Sequence, residues 1–332
     1  MKNHYRYLQF STVFFSSNIL QLHRYKFNSD MNIYNKELAK IASLLIWMLS
    51  FLCISMTVRA EDSSDPNILK VCADPYMLPF SNNEEQGYEN KIAELLAKKM
   101  NAKLEYTWFP QRIGFIRNTL KKEVGSSSGK YACDLIINVP EKFELAATTD
   151  PYYATTYVLV YVKGRGLDEV TDPNMLGKFV EEKKPDLKFG LPDRGDPAQL
   201  WVFYQGLMGN MVPYQGQPGD PKVNPGQKLI DDLVNGTIDV AIVWGPTAGY
   251  FAKKYKDKAE LVLLPLEDDP KDPQMKYTYN LSMAVRYGEN EWKEKINRLV
   301  KENKEEIDQI LEDYGVPLKE IVISKSSDSD DD

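Results

Sequence analysis

Hydrophobic positions in the first half of the chain repeat at the spacings of strands and amphipathic helices. Short apolar runs at 68–73, 103–108 and 134–137 predict strands. Between these runs, apolar residues at helical spacing predict helices over 88–100 and 110–120. This strand–helix–strand–helix–strand order predicts a parallel sheet covered by helices, which is a three-layer α/β lobe.

The second half repeats the alternation of strands and helices. The predicted elements are strands at 157–162, 188–191, 238–243 and 261–266, and helices at 197–208, 226–235, 292–300 and 307–314.

Two of these strands suggest how the chain is divided. Strands 157–162 and 261–266 bracket the middle segment, so we expect an α/β protein of two lobes, each a doubly wound sheet, joined by two crossings. Lobe 1 comprises residues 66–158 and 267–318, and lobe 2 comprises residues 159–266. Ligands of such sheets bind at the carboxyl ends of the strands, so the site is predicted in the cleft between the lobes.

The N-terminus is predicted to be a targeting segment rather than part of the fold. An apolar run at 41–56 follows two lysines and ends near the small residues Val58 and Ala60. This is the pattern of a Sec signal peptide over 31–60, and residues 1–30 are interpreted as an over-called gene start. The alternative is an uncleaved anchor, for which the run is short. We therefore expect a periplasmic protein with no stable membrane anchor after cleavage.

The composition of the mature chain excludes several kinds of catalysis and of binding partner. Both histidines, His4 and His23, lie before the predicted cleavage point, which excludes triad catalysis and histidine ligation of zinc or haem. Without residues 1–60 the chain has 34 basic and 46 acidic residues, a net charge of -12, which argues against nucleic acid as a partner.

The acidic run 267–269 lacks the spacing of a calcium loop, so no metal and no cofactor is predicted. The acidic tail, 324–332, is predicted to be disordered.

Several stretches, in their order along the chain, resemble periplasmic solute-binding proteins of the amino-acid-binding type. Asp74-Pro75 follows the first strand, a TDPYY turn occupies 149–153, and an NGTID step occupies 235–239. FPQRIGFIRNTL at 109–120 and DVAIVWGPTAGYFA at 239–252 are similar to the J protein of methanol oxidation, the MxaJ/XoxJ type.

This resemblance implies both a fold and a role. The fold would be the type II periplasmic-binding-protein fold. The protein would not be an enzyme. It would assist maturation or activation of a pyrroloquinoline-quinone (PQQ)-dependent methanol dehydrogenase by binding that enzyme or a segment of it, and the enzyme's cytochrome c is a further candidate partner.

The chain departs from ordinary amino-acid binders at two positions. That family typically has Glu-Arg before the Pro-Tyr-Tyr turn, where the arginine grips the ligand carboxylate as a bidentate fork, and here the pair is Glu141-Lys142. The family's ammonium-binding aspartate is replaced by Trp244, which adds apolar stacking surface. Free amino acids are therefore not the expected ligands.

Ten residues at strand ends, helix starts or adjoining turns are the candidate cleft residues. They are Asp74, Phe80, Gln111, Arg112, Arg117, Lys142, Asp150, Tyr152, Asp196 and Trp244. Helix capping and surface pairing are the alternative roles for the polar residues, as for Asp196 before a proline. Packing near the hinge is the alternative for Tyr152.

The two cysteines of the mature chain are expected to form a disulfide. Cys72 lies in the first strand, and Cys133 precedes a strand that would lie beside it. Neighbouring strands are about 5 Å apart, which is within disulfide reach. Export favours this pairing over the alternative of two buried free thiols.

Two other functions compete with the accessory role. The first alternative is the substrate-binding receptor of an ABC transporter for a small solute. The second is an enzyme on the same scaffold, such as a dehydratase, which would need a carboxylate acid or base in the cleft. It ranks last because no paired-carboxylate motif occurs in the predicted cleft loops.

Overall fold

The computed structural model describes residues 67–125, 129–192, 197–269 and 276–322. Its helices are α1 (Tyr88–Met100), α2 (Phe115–Asn118), α3 (Leu176–Lys183), α4 (Ala198–Tyr204), α5 (Pro225–Val234), α6 (Gly245–Tyr255), α7 (Asn290–Glu302) and α8 (Lys304–Asp313). Its strands are β1 (Ile68–Ala73), β2 (Tyr76–Met77), β3 (Ser81–Asn82), β4 (Lys103–Trp108), β5 (Ile136–Pro140), β6 (Ala147–Thr148), β7 (Tyr153–Val162), β8 (Phe189–Pro192), β9 (Met211–Tyr214), β10 (Val240–Trp244), β11 (Leu261–Pro265), β12 (Thr278–Val285) and β13 (Leu318–Lys319). Short 3₁₀ turns lie at Pro173–Met175 and Met208–Asn210.

The strand β7 connects the two halves of the molecule, because its first half pairs within one group of strands and its second half within another. Its first half, through Thr156, pairs antiparallel with β12. Its second half, from Tyr157, lies between β10 and β11, and both pairings are antiparallel. The chain therefore passes from one group of strands to the other within a single ten-residue strand.

Each group of strands is completed by parallel neighbours. On one side β1 and β4 pair in parallel, and a bridge between Val71 and Leu135 places the start of β5 beside β1, while β5 pairs antiparallel with β12. On the other side β8 pairs in parallel with both β10 and β9. Sheets of this mixed kind, with helices on their faces, are typical of doubly wound α/β lobes.

The buried side chains form separate cores on the two halves of β7. One core contains Leu69, Ile92 and Trp292, which join β1 to α1 and α7. The other half packs on two faces, around Phe189 on one face and Phe251 on the other. The predicted two-lobed fold is thus confirmed. Below, lobe 1 means the part that holds β1, β4, β5, α1, α2, α7 and α8, and lobe 2 means the part that holds β8–β11 and α3–α6.

Helix α1 matches the predicted segment residue for residue, because its apolar spacing is regular. Ile92 and Leu96 are fully buried on one face, and burial of each is worth about 1.5–3 kcal/mol. The helix begins after Gly87, where an added Cβ would overlap the carbonyl of Phe80. It ends at Asn101, which adopts a left-handed φ of 52°.

Other predicted boundaries are wrong. The helix predicted over 110–120 shortens to α2, because Gly114 adopts a φ of 94° and interrupts the segment. The strand predicted at 134–137 is displaced to β5. Helix α6 and strand β12 were not predicted at all.

The predicted disulfide is present and ties two parts of lobe 1. Cys72 in β1 is bonded to Cys133, with their Cα atoms 5.4 Å apart, and both residues are buried. The bridge spans a sequence separation of 61 residues, for which the chain-entropy model gives about 4 kcal/mol of stabilisation. Arg286 lies beside it and donates to the carbonyls of Cys133 and Leu120 while pairing with Asp134 at 2.6 Å.

Candidate functional site

A cavity of about 840 Å³ lies between the two lobes at the carboxyl ends of β8 and β10. Lobe 1 contributes Met77, Phe80 and Ile113 to its wall, and lobe 2 contributes Leu229 and other apolar or amide side chains. The side chain of Ile113 is 91% exposed, so an apolar group stands in the open mouth. Among the described residues that line this cavity, none carries a formal charge.

Trp244 is the centre of the aromatic surface in the cleft. It is the last residue of β10, and the antiparallel register of β10 with β7 places it directly opposite Tyr157. Its ring meets Tyr157 edge to face at 5.0 Å and Tyr279 at 6.0 Å. Aromatic pairs of this geometry add about 0.5–1.5 kcal/mol to simple burial, so the three rings hold each other in place.

A smaller cavity of about 290 Å³ lies on the other side of Trp244. Trp244 and Tyr157 line both cavities, and Gln111 and Asn138 supply the polar part of the smaller one. Trp244 and Tyr157 therefore border two cavities.

Asp74 fixes the loop that follows β1. Its carboxylate accepts hydrogen bonds from the backbone N–H groups of Tyr76 at 2.7 Å and Gln111 at 2.5 Å. Burial raises the pKa of Asp74, and these two hydrogen bonds with the nearby Arg112 oppose that rise. Asp74, Gln111 and Arg112 lie near one another, and the carboxylate of Asp74 accepts its hydrogen bonds from the protein backbone.

A buried polar network that the sequence did not predict lies beneath the lobe 1 side of the cleft. The hydroxyl groups of Tyr88 and Tyr153 are 3.0 Å apart, and the side chain of Asn138 bonds to both of them, at 3.1 and 3.3 Å. Glu89 lies beside this network with one carboxylate oxygen, Oε1, that has no hydrogen-bond partner. Burial is the main cause that raises the pKa of Glu89 to about 8, and a hydrogen bond with Asn138 opposes it.

A third cavity, of about 670 Å³, lies towards the outer rim of the cleft and is polar. Glu84 from lobe 1 faces Lys222, Lys228 and Asp231 from lobe 2 across it. Asn224 lines both this cavity and the uncharged one. The cleft therefore has an uncharged inner compartment and a charged outer compartment.

The ten candidate residues do not all line the cleft. Phe80, Gln111 and Trp244 line cavities, and Arg112 reaches across the cleft mouth to the carbonyl oxygen of Asp220 at 3.5 Å. The prediction for Tyr152 is wrong, because its side chain is fully buried in lobe 1 and its hydroxyl donates to the carbonyl of Ile137 at 3.0 Å.

The remaining candidates line none of the cavities given above. Arg117 is exposed on α2, and Lys142 is exposed in a left-handed turn with a φ of 60°. Asp150 is exposed, and its backbone N–H donates to Asn297 of α7 at 2.9 Å. Asp196 lies outside the described residues.

The described part of the chain offers neither a metal-binding cluster nor a membrane-crossing helix. No group of three or more histidine, cysteine, aspartate or glutamate side chains in 67–125, 129–192, 197–269 and 276–322 is arranged to hold a metal ion. Within the same ranges, no helix has both the length and the apolar character that a membrane crossing requires.

Comparison with known proteins agrees with this architecture. The family model described as bacterial extracellular solute-binding proteins, family 3, matches residues 69–317. The crystal structure of the periplasmic binding protein XoxJ from Methylobacterium extorquens AM1 is 32% identical, covering 76% of this chain and all of that one, with a TM-score of 0.59. The crystal structure of MxaJ from Methlophaga aminisulfidivorans MPT has the same TM-score and coverage at 24% identity. Protein MoxJ of Paracoccus denitrificans is 25% identical over 270 residues, covering 80% of this chain and 94% of its own length.

Proposed function

This chain belongs to family 3 of the bacterial extracellular solute-binding proteins and is of the MxaJ/XoxJ type, and from that premise we propose a role in methanol oxidation. The protein is proposed to be a periplasmic accessory factor that assists maturation or activation of a PQQ-dependent methanol dehydrogenase. It does so by binding an apolar segment of that enzyme in the cleft between its lobes, and it binds rather than catalyses.

The uncharged, aromatic lining of the inner compartment carries this proposal. A free amino acid brings a carboxylate and an ammonium group, and burying either without a charged partner costs several kcal/mol. Trp244 stands where amino-acid binders of this family have an aspartate, and Lys142 replaces their arginine and lies in an exposed turn. An apolar side chain meets no such penalty against Trp244, Phe80 and Leu229.

The size and polarity of the cleft fit a polypeptide segment. The inner compartment and the smaller cavity behind Trp244 together provide room for more than one side chain. Amide groups of Gln215 and Gln217 lie on the wall of the inner compartment. They can both donate to and accept from the backbone of a bound segment, and this match requires no particular sequence.

Binding to the cognate PQQ-dependent methanol dehydrogenase tests the proposal. Isothermal titration with the mature protein should show an interaction that Trp244→Ala weakens by about thirtyfold, the factor for about 2 kcal/mol at a buried aromatic anchor. Phe203→Ala is the matched control, because Phe203 is an exposed aromatic residue of lobe 2 that lines none of the cavities described above, and it should leave the affinity unchanged. Equal affinities of the wild type and Trp244→Ala would contradict the proposal.

A receptor for a small uncharged solute is the second candidate. It is favoured by the volume of the inner compartment, since about 840 Å³ lies in the usual range for small-molecule sites. This function predicts a raised melting temperature with a single solute, because a ligand that binds only the folded state stabilises it. A solute panel that raises the melting temperature of the wild type but not of Trp244→Ala, together with no binding to the dehydrogenase, would favour it.

A further inference from the structure

A short antiparallel hairpin lies in lobe 1 between α2 and β5. The backbone N–H of Val124 donates to the carbonyl oxygen of Lys130 at 2.8 Å, and Glu123 lies opposite Tyr131. Side chains alternate between the two faces of paired strands, so Glu123 and Tyr131 share one face of the hairpin. Lys122, Val124 and Lys130 therefore share the other face.

The two faces of this hairpin have different surroundings. The ring of Tyr131 has its centroid 4.1 Å from the guanidinium carbon of Arg286, and Arg286 is buried. The face that carries Tyr131 is thus turned towards the interior of lobe 1. On the opposite face both lysines, Lys122 and Lys130, are exposed, and Val124 between them is 37% exposed.

Large apolar side chains are exposed next to the hairpin. The Nζ atom of Lys121 lies 5.9 Å from the centroid of the ring of Tyr287, a residue that is 60% exposed. The hydroxyl group of Tyr287 donates to the carbonyl oxygen of Glu144 at 3.0 Å, and the following residue, Leu145, is 52% exposed. Exposed apolar side chains that lie together, bordered by polar residues, are typical of protein interaction sites.

The charges of this surface are positive and unpaired. We define the basic face as Arg117, Lys121, Lys122 and Lys130 with Val124, Leu145 and Tyr287. The segment 112–132 has five basic residues and one acidic residue, Glu123, in a chain whose formal net charge is -7. Within the part of the chain that the structure describes, no carboxylate forms an ion pair with the four cations of the basic face, whereas Lys99 and Lys163 each pair with a glutamate. Clustered, unpaired cations are complementary to an acidic surface.

The charge of the rest of the chain favours a protein as the owner of that acidic surface. The chain without residues 1–60 has a net charge of -12, so an extended anionic plane, such as a membrane, would be repelled around the basic face. A protein can present its acids only opposite the four cations. Tyr287 and Leu145 would then supply the apolar contact and the lysines the charged rim, which is the usual anatomy of a protein interface.

The basic face is continuous with the cleft. Ile113 lines the inner compartment, and Arg117 follows four residues later on α2, while the disulfide at Cys133 fixes the other end of the segment. We propose that the basic face is a docking surface for an acidic patch of a protein partner, and that it contacts the methanol dehydrogenase outside the cleft. The contact with the dehydrogenase rests on the proposed function, whereas the docking surface itself does not.

Reversing two charges of the hairpin tests the proposal. The hairpin variant carries Lys122→Glu and Lys130→Glu. The control carries Lys254→Glu and Lys256→Glu, which make the same change in net charge at exposed residues of lobe 2. With both variants folded as judged by circular dichroism, stopped-flow mixing with the dehydrogenase at about 0.05 M salt should show association about tenfold slower for the hairpin variant, and near the wild-type rate for the control. Salt at about 1 M should remove the difference, because the Debye length falls to about 3 Å.

Fluorescent poly-L-glutamate supplies a reading that does not depend on the enzyme. At the same low salt, the wild type and the control should bind it about tenfold more tightly than the hairpin variant. Equal binding by the hairpin and control variants overturns the docking surface. Vesicles of phosphatidylglycerol that capture the wild type but not the hairpin variant also overturn it, because the occupant is then a membrane.

The two assays together separate this inference from the proposed function. If the dehydrogenase binds the wild type and both variants at one rate, its contact with the basic face is overturned and the proposed function stands. If the wild type binds poly-L-glutamate through the basic face but never binds the dehydrogenase, the docking surface is supported and the proposed function is removed.

Discussion

Replacing the buried Glu89 with glutamine should change how the stability of the protein depends on pH. The pKa of Glu89 is about 8 in the folded protein, against an ordinary value of 4.5. Burial is the main cause, and the negative charge of Asp74 raises the pKa further. Between pH 4.5 and about pH 8 the Glu89 carboxyl keeps its proton in the folded state but has lost it in the unfolded state. The stabilisation that Glu89 supplies is therefore complete below pH 4.5 and declines as the pH rises towards 8.

The size of the effect follows from the difference in pKa. A solution at pH 7 is about 2.5 units above the pKa of Glu89 in the unfolded chain. The free energy of unfolding that Glu89 contributes is therefore about 3 kcal/mol lower at pH 7 than at pH 4.5. Glutamine has nearly the shape of the protonated acid and does not titrate. The free energy of unfolding of Glu89→Gln minus that of the wild type should therefore become more positive by about 3 kcal/mol between pH 4.5 and pH 7.

Urea unfolding at four pH values, followed by circular dichroism, measures this difference. Taking the difference between two variants removes the contribution of titrating groups that do not interact with Glu89. Glu84→Gln is the control, since it makes the same substitution at an exposed residue of the neighbouring loop. A Glu89→Gln difference that stays constant from pH 4.5 to pH 8, or that falls, would refute the reasoning.

Three further changes probe the packing of lobe 1. Arg286→Met should lower the free energy of unfolding by about 3–5 kcal/mol in chemical denaturation, because it leaves the buried carboxylate of Asp134 without its partner at 2.6 Å, and a loss under 1 kcal/mol would contradict this. The double variant Cys72→Ala and Cys133→Ala should lose up to about 4 kcal/mol in the same assay, and reduction of the wild type should match it. Ile92→Ala should cost about 2–5 kcal/mol in thermal and urea unfolding, with unchanged binding of the dehydrogenase, since the side chain is fully buried and away from the cleft.

The sequence predicts elements well where one periodic signal dominates. The helix over 88–100 was predicted with its observed ends, because regular apolar spacing is followed by an asparagine that can adopt a left-handed conformation. Helix α6 was missed because Gly245, Pro246 and Gly249 suggest a loop. In the folded protein the glycines are needed for close packing against β7 and the segment after α8, and the proline occupies a first-turn position. These reasons depend on contacts between distant segments, which no local pattern contains.

The site was predicted only in part, and for a similar reason. Trp244 and Phe80 could be placed in the cleft because strand ends of this fold face it. Tyr152 has the same kind of position in the sequence, yet it packs inward, since the adjoining strand buries its side chain. Glu89 resembles an ordinary acidic residue in the first turn of a helix, and only the fold shows that it is buried beside Asn138.

The route of the chain through lobe 1 has a consequence for the order of folding. The sheet of this lobe needs β12, which pairs with both β5 and β7, yet β12 is made more than a hundred residues after them. Because the chain is synthesised from its N-terminus, β1, α1 and β4 are available to form early, and Cys72 and Cys133 can then come into contact. The edge of β5 then stays unpaired until the C-terminal segment arrives, and an open edge of apolar strand is a site of aggregation. A covalent bond that forms before the last strand docks would hold this half-built lobe together during that interval.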